Sequence, residues 1–385
     1  MARLGDICEV LNGYAFKSEK YTSSGVRIIR IANVQKGYIE DTAPAFYPID
    51  TTDIEKYTLY EDDLLISLTG NVGRVALLKK EFLPAALNQR VACLRLKDSA
   101  QYDKSFLYWF LNSDYFENKC IQSAKGVAQK NMSTEWLKEY QIPNLSLVEQ
   151  KEIAAVLNKI SELISARTMQ LQKLDELVKS RFIELFGVYP SNPKGWETAT
   201  IRDIVADVRY GSSRPAVDGG KYPFLRMNNI TYGGELDLTD TKRIDIPDNE
   251  LDKCTVRRGD VLFNRTNSKE LVGKTCVYNR DEMMVLAGFV IRVRVTERVL
   301  PEFLSAFLNT DFSKQMLLGM CKAAIGQANI NAQEMQNIGI YLPPTELQRQ
   351  FVQFKKQVDK SKLAIQQSLE KLETLKKALM QQYFG

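Results

Sequence analysis

An internal repeat constrains this chain more than any other feature. Ile29-Arg30-Ile31-Ala32-Asn33-Val34 recurs as Leu225-Arg226-Met227-Asn228-Asn229-Ile230. Glu61-Asp62-Asp63-Leu64-Leu65 recurs as Arg258-Gly259-Asp260-Val261-Leu262, and Val72-Gly73-Arg74 as Val272-Gly273-Lys274. Phe110-Leu111-Asn112-Ser113-Asp114 returns as Phe307-Leu308-Asn309-Thr310-Asp311. Gln129-Lys130-Asn131-Met132-Ser133 returns as Gln327-Ala328-Asn329-Ile330-Asn331, and Leu185-Phe186-Gly187 as Tyr383-Phe384-Gly385. The order is constant and the offset stays near ~198 residues, so the chain is one unit written twice, a duplicated domain pair and no solenoid.

Each copy divides in two. Residues 1–145 and 188–343 alternate short β-like runs with turn residues, for example Asp63-Leu64-Leu65-Ile66-Ser67-Leu68 and Phe289-Val290-Ile291-Arg292-Val293-Arg294-Val295. One amphipathic helix near 105–112, mirrored at 302–309, makes each an α+β domain. Residues 146–187 and 344–385 read as long helices. In the first, Ile153, Val156, Leu157, Ile160, Ile164, Leu171, Leu174, Val178 and Leu185 recur at spacings near three and four, interrupted by Arg167 and Arg181. Phe351, Phe354, Val358, Ile365, Leu369, Leu372, Leu375 and Leu379 do the same in the second. Some 40 residues of helix span about 60 Å, and two matched seams predict an antiparallel coiled coil with pseudo-two-fold symmetry. Between the copies, Gly187-Val188-Tyr189-Pro190-Ser191-Asn192-Pro193-Lys194-Gly195 reads as a linker, because its prolines cannot continue a helix.

Composition then removes function classes. The 385 residues contain no histidine, which eliminates Ser-His-Asp and Cys-His nucleophiles and every His-based metal site. The six cysteines form no Cys-x-x-Cys clamp. Their scatter, with no signal-peptide core and no apolar run of membrane-spanning length, predicts a cytoplasmic protein without a metal of its own. Val272-Gly273-Lys274-Thr275 resembles the end of a phosphate-binding loop, but Ser268 stands where that loop needs glycine and the following residues read as strand. Pro247-Asp248 with Glu250 and Lys253 reads as an exposed turn rather than a nuclease carboxylate set. No catalytic constellation is present, so the chain is expected not to be an enzyme. Net charge is +5. The first 187 residues are neutral, with 24 basic and 24 acidic side chains, whereas 344–385 carries 8 basic against 4 acidic.

The junctions into the helices carry a family resemblance. Gly126-Val127-Ala128-Gln129-Lys130-Asn131-Met132-Ser133, Gln141-Ile142-Pro143 and Glu149-Gln150-Lys151-Glu152-Ile153 form the first. Gly326-Gln327-Ala328-Asn329-Ile330-Asn331, Leu342-Pro343-Pro344 and Leu347-Gln348-Arg349-Gln350-Phe351 form the second. With Phe186-Gly187 and Asn192-Pro193-Lys194-Gly195-Trp196, the pattern resembles the specificity (S) subunit of type I restriction-modification systems over the whole chain. The first junction departs from the family in having Asn144-Leu145-Ser146 where a second proline is usual.

The resemblance implies two target-recognition domains, each reading half of an interrupted double-stranded DNA sequence, with the helices as spacer. It implies docking of two methyltransferase (modification) subunits, which bind S-adenosylmethionine and methylate adenine. Restriction subunits would add ATP- and Mg-dependent translocation and cleavage against phage. This chain itself would hold no cofactor.

Base reading needs side chains that present paired donors and acceptors. At predicted turns of the first domain these are Lys17, Lys36, Asn71, Arg74, Asn88, Gln89, Arg90, Lys125, Gln129 and Lys130. In the second they are Arg209, Ser212, Ser213, Arg214, Asn228, Asn229, Asn264, Arg265, Asn267, Lys269, Lys274, Lys322 and Gln327. Asn264-Arg265-Thr266-Asn267-Ser268-Lys269 is the richest cluster. Asn33 and Asn228 suit backbone capping equally well. The competing readings are a non-enzymatic assembly scaffold and the specificity subunit of a related methylation-only defence system.

Overall fold

A computed structural model describes residues 1–49, 54–97, 102–124, 131–321 and 328–385. The chain forms two compact units, Met1–Thr168 with Gln366–Gly385, and Met169–Ile365. The division falls inside both long helices, Leu147–Phe186 and Thr345–Phe384, so each helix belongs partly to both units.

Unit 1 contains two four-stranded sheets. In the first, Cys8–Asn12, Val91–Leu96, Leu64–Ser67 and Val75–Leu77 lie side by side, all antiparallel. In the second, Phe46–Tyr47, Val26–Ile29, Ala85–Leu87 and Thr58–Leu59 follow in that order, with a parallel pairing of Val26–Ile29 and Ala85–Leu87. The run Leu64-Leu65-Ile66-Ser67 is buried throughout because the first sheet is covered on both faces. Leu64 and Ile66 point into a core with Phe106, Phe110 and Phe116, while Leu65 points the other way, into a core with Ile29, Leu59, Leu87 and Cys93.

Unit 2 repeats this plan. Val205–Tyr210, Val290–Val295, Val261–Asn264 and Thr275–Val277 form the first sheet. Lys242–Ile244, Tyr222–Leu225, Met284–Leu286 and Thr255–Val256 form the second, with the same parallel pair at the same place. Val261 and Phe263 face the helix side and Leu262 the inter-sheet side. The amphipathic helices are Lys104–Leu111 and Pro301–Leu308. Cys276 is fully enclosed between the sheets, and burial pushes its thiol up to about 12, so it behaves as a small apolar residue.

The long helices are held by their ends. In unit 1, Phe384 packs edge-on to Phe106 and Phe110, at ring-centroid distances of 5.6 and 5.7 Å. In unit 2, Phe182 and Phe186 surround Phe303 and Phe351. Here Lys362 binds Asp175, Arg181 lies over Phe354, and Phe182 meets Phe351. As one partner's number rises the other's falls, so the helices run antiparallel in this unit. Arg181 does not interrupt the seam: its guanidinium sits 5.8 Å from the Phe354 ring and pairs with Glu184. Val156 and Leu375, assigned to the seam from spacing, are instead exposed, and Lys376 turns inward over Trp109 at the latter point.

Three local expectations change. Ser146 and Glu149 exchange hydrogen bonds as a capping box, so the serine at the unusual junction starts the central helix itself. The 187–195 linker is packed: Tyr189 lies against Phe307 and Tyr341, and the Trp196 indole donates to the Phe186 carbonyl. Asp248–Cys254 is a short helix rather than a turn, and Glu250 is engaged by Arg214. Among the described residues no helix is long and apolar enough to cross a membrane.

Candidate nucleic-acid interface

In both units the same four segments meet at one end of the first sheet, tied by matching backbone bonds. In unit 1, the Tyr14 amide donates to the Leu87 carbonyl and the Gln89 amide to that of Tyr14, both at 2.9 Å. Leu68 N–H donates to Arg90 C=O at 3.0 Å, and Met132 N–H to Leu68 C=O at 2.8 Å. In unit 2, Ser212 N–H donates to Leu286 C=O and Gly288 N–H to Ser212 C=O, both at 2.7 Å. Arg265 N–H donates to Phe289 C=O at 3.0 Å, and Ile330 N–H to Arg265 C=O at 2.9 Å. Thr69 bridges Asn131 as Thr266 pairs with Asn329. Gly13 and Gly211 permit the closest approach, since a Cβ there would lie 2.3 and 2.2 Å from backbone of the facing loop.

The side chains on this common backbone differ. Tyr14 stands opposite Ser212 in the correspondence, Leu68 opposite Arg265, Gln89 opposite Gly288 and Arg90 opposite Phe289. A shared frame with exchanged side chains is the form expected of two modules that read different surfaces.

Several predicted residues lie on or beside this cluster. Gln89, Arg90 and Lys269 are exposed, and Lys17 is exposed at the border of the unit 1 cluster. Asn88 is half-buried beside them and Ser213 is exposed. Arg265 is half-buried, its guanidinium 5.0 Å from the Tyr210 ring and 3.5 Å from the Gly288 carbonyl oxygen. Its Nε is enclosed without a partner among the described residues. Such a side chain is pre-aimed but not saturated. Asn267 donates to Asn264 and accepts from Ser268 N–H, so it shapes the loop around Arg265.

Other predicted residues are exposed but already paired. Lys36 binds Asp114 at 2.5 Å and Glu117 at 2.6 Å. Against the cost of its partial burial, these carboxylates hold the ammonium pKa above its usual value. Arg209 binds Asp207, and Arg214 binds Glu250. Arg74 donates to Gln35 Oε1, and the Asn71 amide oxygen, suitably oriented, accepts from Arg74 at 3.3 Å. Asn228 is exposed on the 3-10 turn Met227–Asn229, which follows the strand paired in parallel with Met284–Leu286.

Four predicted contacts are corrected by burial. Asn264 is fully buried, donating to the carbonyls of Thr266 and Phe289. Asn229 is buried, accepting from Arg226 N–H and donating to the Asp237 and Asp240 carbonyls. Asn33 performs the same service in unit 1, so the cap of the second turn is Asn229, not Asn228. Ser212 is buried, its hydroxyl accepting from Arg214 N–H. Lys274 is buried, donates to the Met227 carbonyl, and precedes strand Thr275–Val277, so no phosphate-binding loop forms there. Lys125, Gln129, Lys130, Lys322 and Gln327 lie outside the described residues.

Residue-type reasoning missed the aromatics. Tyr14 and Phe289 are 48% and 49% exposed at the tips of the cluster, and Tyr210 forms the platform under Arg265. The repeat contained the signal: matching Gly13-Tyr14 to Gly211-Ser212 locates the first loop in both copies.

The family model for the type I restriction modification DNA specificity domain matches residues 1–176 and again 193–376. The chain belongs to this family. It is 22% identical over 372 residues to the type I restriction enzyme EcoKI specificity subunit of Escherichia coli K12, covering 91% of this chain and 80% of that one. It is 36% identical over 184 residues to the EcoAI specificity subunit of Escherichia coli, covering 46% of this chain and 30% of that one. The fold matches the S subunit of a type I restriction-modification system from M. genitalium with a TM-score of 0.58, at 15% identity over 98% of this chain and 94% of that one. A chain from a type I system solved to explain its assembly matches with a TM-score of 0.59, at 18% identity over 100% and 96%. The repeat is therefore the family's own two-domain architecture.

Proposed function

We propose that this type I specificity chain reads a bipartite DNA target, each unit contacting one half-site through its loop cluster, and brings modification and restriction subunits to that sequence. The observation that carries this reading is the paired loop cluster, with one set of backbone bonds and two sets of side chains. Two units that share a frame and differ at their tips suit two half-sites of different sequence.

Catalysis belongs to the partners on this reading. Two modification subunits supply S-adenosylmethionine and methyl transfer, and restriction subunits supply ATP- and Mg-driven translocation and cleavage. This chain contributes hydrogen-bond donors and acceptors that do not titrate near neutral pH, which a chain without histidine can provide. The electrostatically neutral first half implies that the partners supply much of the phosphate grip, so the isolated chain binds DNA weakly and with strong salt dependence.

The test compares target and random duplexes with the modification subunit present, for the wild type and for Arg265→Ala. The wild type should prefer its target, and Arg265→Ala should lose about 1–3 kcal/mol of discrimination at one half-site only. Equal affinity of the wild type for all sequences would refute base reading. Uniform weakening by Arg265→Ala would make that residue a phosphate contact.

A further inference from the structure

The two units differ in charge at one equivalent corner. In unit 1, helix Asp114–Ser123 presents Asp114 and Glu117 to Lys36, which binds both. In unit 2, helix Asp311–Met320 carries Lys314 at the position of Glu117. The acid is replaced by a cation.

Lys314 Nζ lies 4.9 Å from the centroid of the Tyr232 ring and 3.4 Å from the Gly273 carbonyl oxygen. The next residue, Lys274, is only 6% exposed, and its ammonium donates to the Met227 carbonyl at 2.9 Å. Neither cation has a carboxylate partner among the described residues. The acids on surrounding elements are engaged elsewhere: Asp311 with Lys179 at 2.8 Å, Glu235 with Lys362 at 2.7 Å, and Glu270 with Ser268. Burial, reinforced by the charge of Lys274, pushes the Lys314 pKa down to about 8. Two neighbouring cations with only neutral partners are poorly compensated in the free protein, and an arriving anion would relieve both.

Position selects the anion. Gly273 N–H donates to Asn264 C=O at 2.8 Å, which places the pair at the foot of the loop that carries Arg265, Asn267 and Lys269. Lys269 is exposed on that loop, and Lys314 reaches the hairpin from the neighbouring helix. Tyr232, 56% exposed, flanks Lys314. An ammonium is a point-charge phosphate binder that needs no fixed fork geometry.

We infer that Lys314, with the buried charge of Lys274 behind it, is a phosphodiester-binding cation that holds the DNA backbone next to the unit 2 reading loop, a contact unit 1 does not make at the matching place. The assignment rests on the DNA-reading function proposed above. It gives the duplicated chain an asymmetric grip: unit 2 carries its own phosphate anchor, whereas the corresponding cation of unit 1 is neutralised within the protein.

Affinity of the full chain for target and random duplexes, measured across a sodium chloride series, tests it. Lys314→Gln should weaken binding to both duplexes by the same factor and flatten the slope of log affinity against log salt by about 0.9, the value for one phosphate. Lys314→Arg should restore both quantities. An unchanged slope in Lys314→Gln, or a loss confined to the target sequence, would overturn the assignment. A wild type without target preference would defeat the reading function instead, while the slope on random duplex would still decide the fate of the Lys314 contact.

Discussion

Lys314 occupies a place where its charge costs the folded chain. Its pKa falls from 10.5 to about 8 through burial and the nearby charge of Lys274. Below pH 8 the folded state must carry a charge it holds poorly, and the penalty is fully present. Between 8 and 10.5 the unfolded chain binds the proton and the folded chain does not, so stability rises with pH through that window. Lys314→Met should therefore stabilise the free protein at pH 7 by about 1–3 kcal/mol, and the gain should shrink toward zero above pH 10.5. Urea denaturation at pH 7 and pH 10.5 measures it, and equal midpoints for the two proteins at pH 7 would contradict the burial cost. Asn264 and Arg265 make the complementary point. Both are polar residues of one predicted turn, yet the first is consumed as a buried brace and the second is half-buried with its guanidinium over the Tyr210 ring. A brace and a reader have the same composition, so residue type alone finds the loop without separating them. Burial and the partner list make that separation.

Elements were far more legible than residues. Apolar β-forming runs placed the strands Leu64–Ser67 and Val290–Val295, and helical spacing placed Lys104–Leu111 and Pro301–Leu308. Periodicity could not report that the neighbours of each unit include the far end of a helix begun in the other. Phe384 follows the unit 2 domain by some ~40 residues, yet it is 5% exposed in the core of unit 1, between Phe106 and Phe110. Replacing it with alanine removes a large aromatic from a closed site, a loss of about 3–5 kcal/mol. The expected consequence is faster hydrogen exchange in Val91–Leu96, with Val290–Val295 little changed. Phe186→Ala, which empties the matching site beside Phe303 and Phe351, should give the reverse pattern. Equal acceleration in both strands for both variants would mean that the units unfold as one. Seam errors at Val156 and Leu375 have a related cause: a three-four spacing fits either of two adjacent helical faces, and the inward turn of Lys376 over Trp109 selects one of them.

At the scale of the whole molecule, the covalent route between the two reading clusters runs through the central helix, and both long helices contribute residues to both units. On the proposed function, helix length then becomes the measure of the gap between half-sites. Four residues inserted into each helix near the unit boundaries, after Thr168 and after Ile365, add about 6 Å and just over one turn, which keeps the apolar stripe close to its original face. At about 3.4 Å per base-pair step, the added length corresponds to roughly one to two base pairs. Because the insertions touch neither Arg90 nor Arg265, the half-sites themselves should not change. Methylome sequencing of cells carrying the lengthened chain with its modification subunit should show the original half-sites separated by a longer spacer. Altered half-sites at the old spacing would place specificity in the helices and refute the division of labour between loops and rods. Methylation at the original site and spacing would show that the partner subunits, rather than the helices of this chain, set the distance.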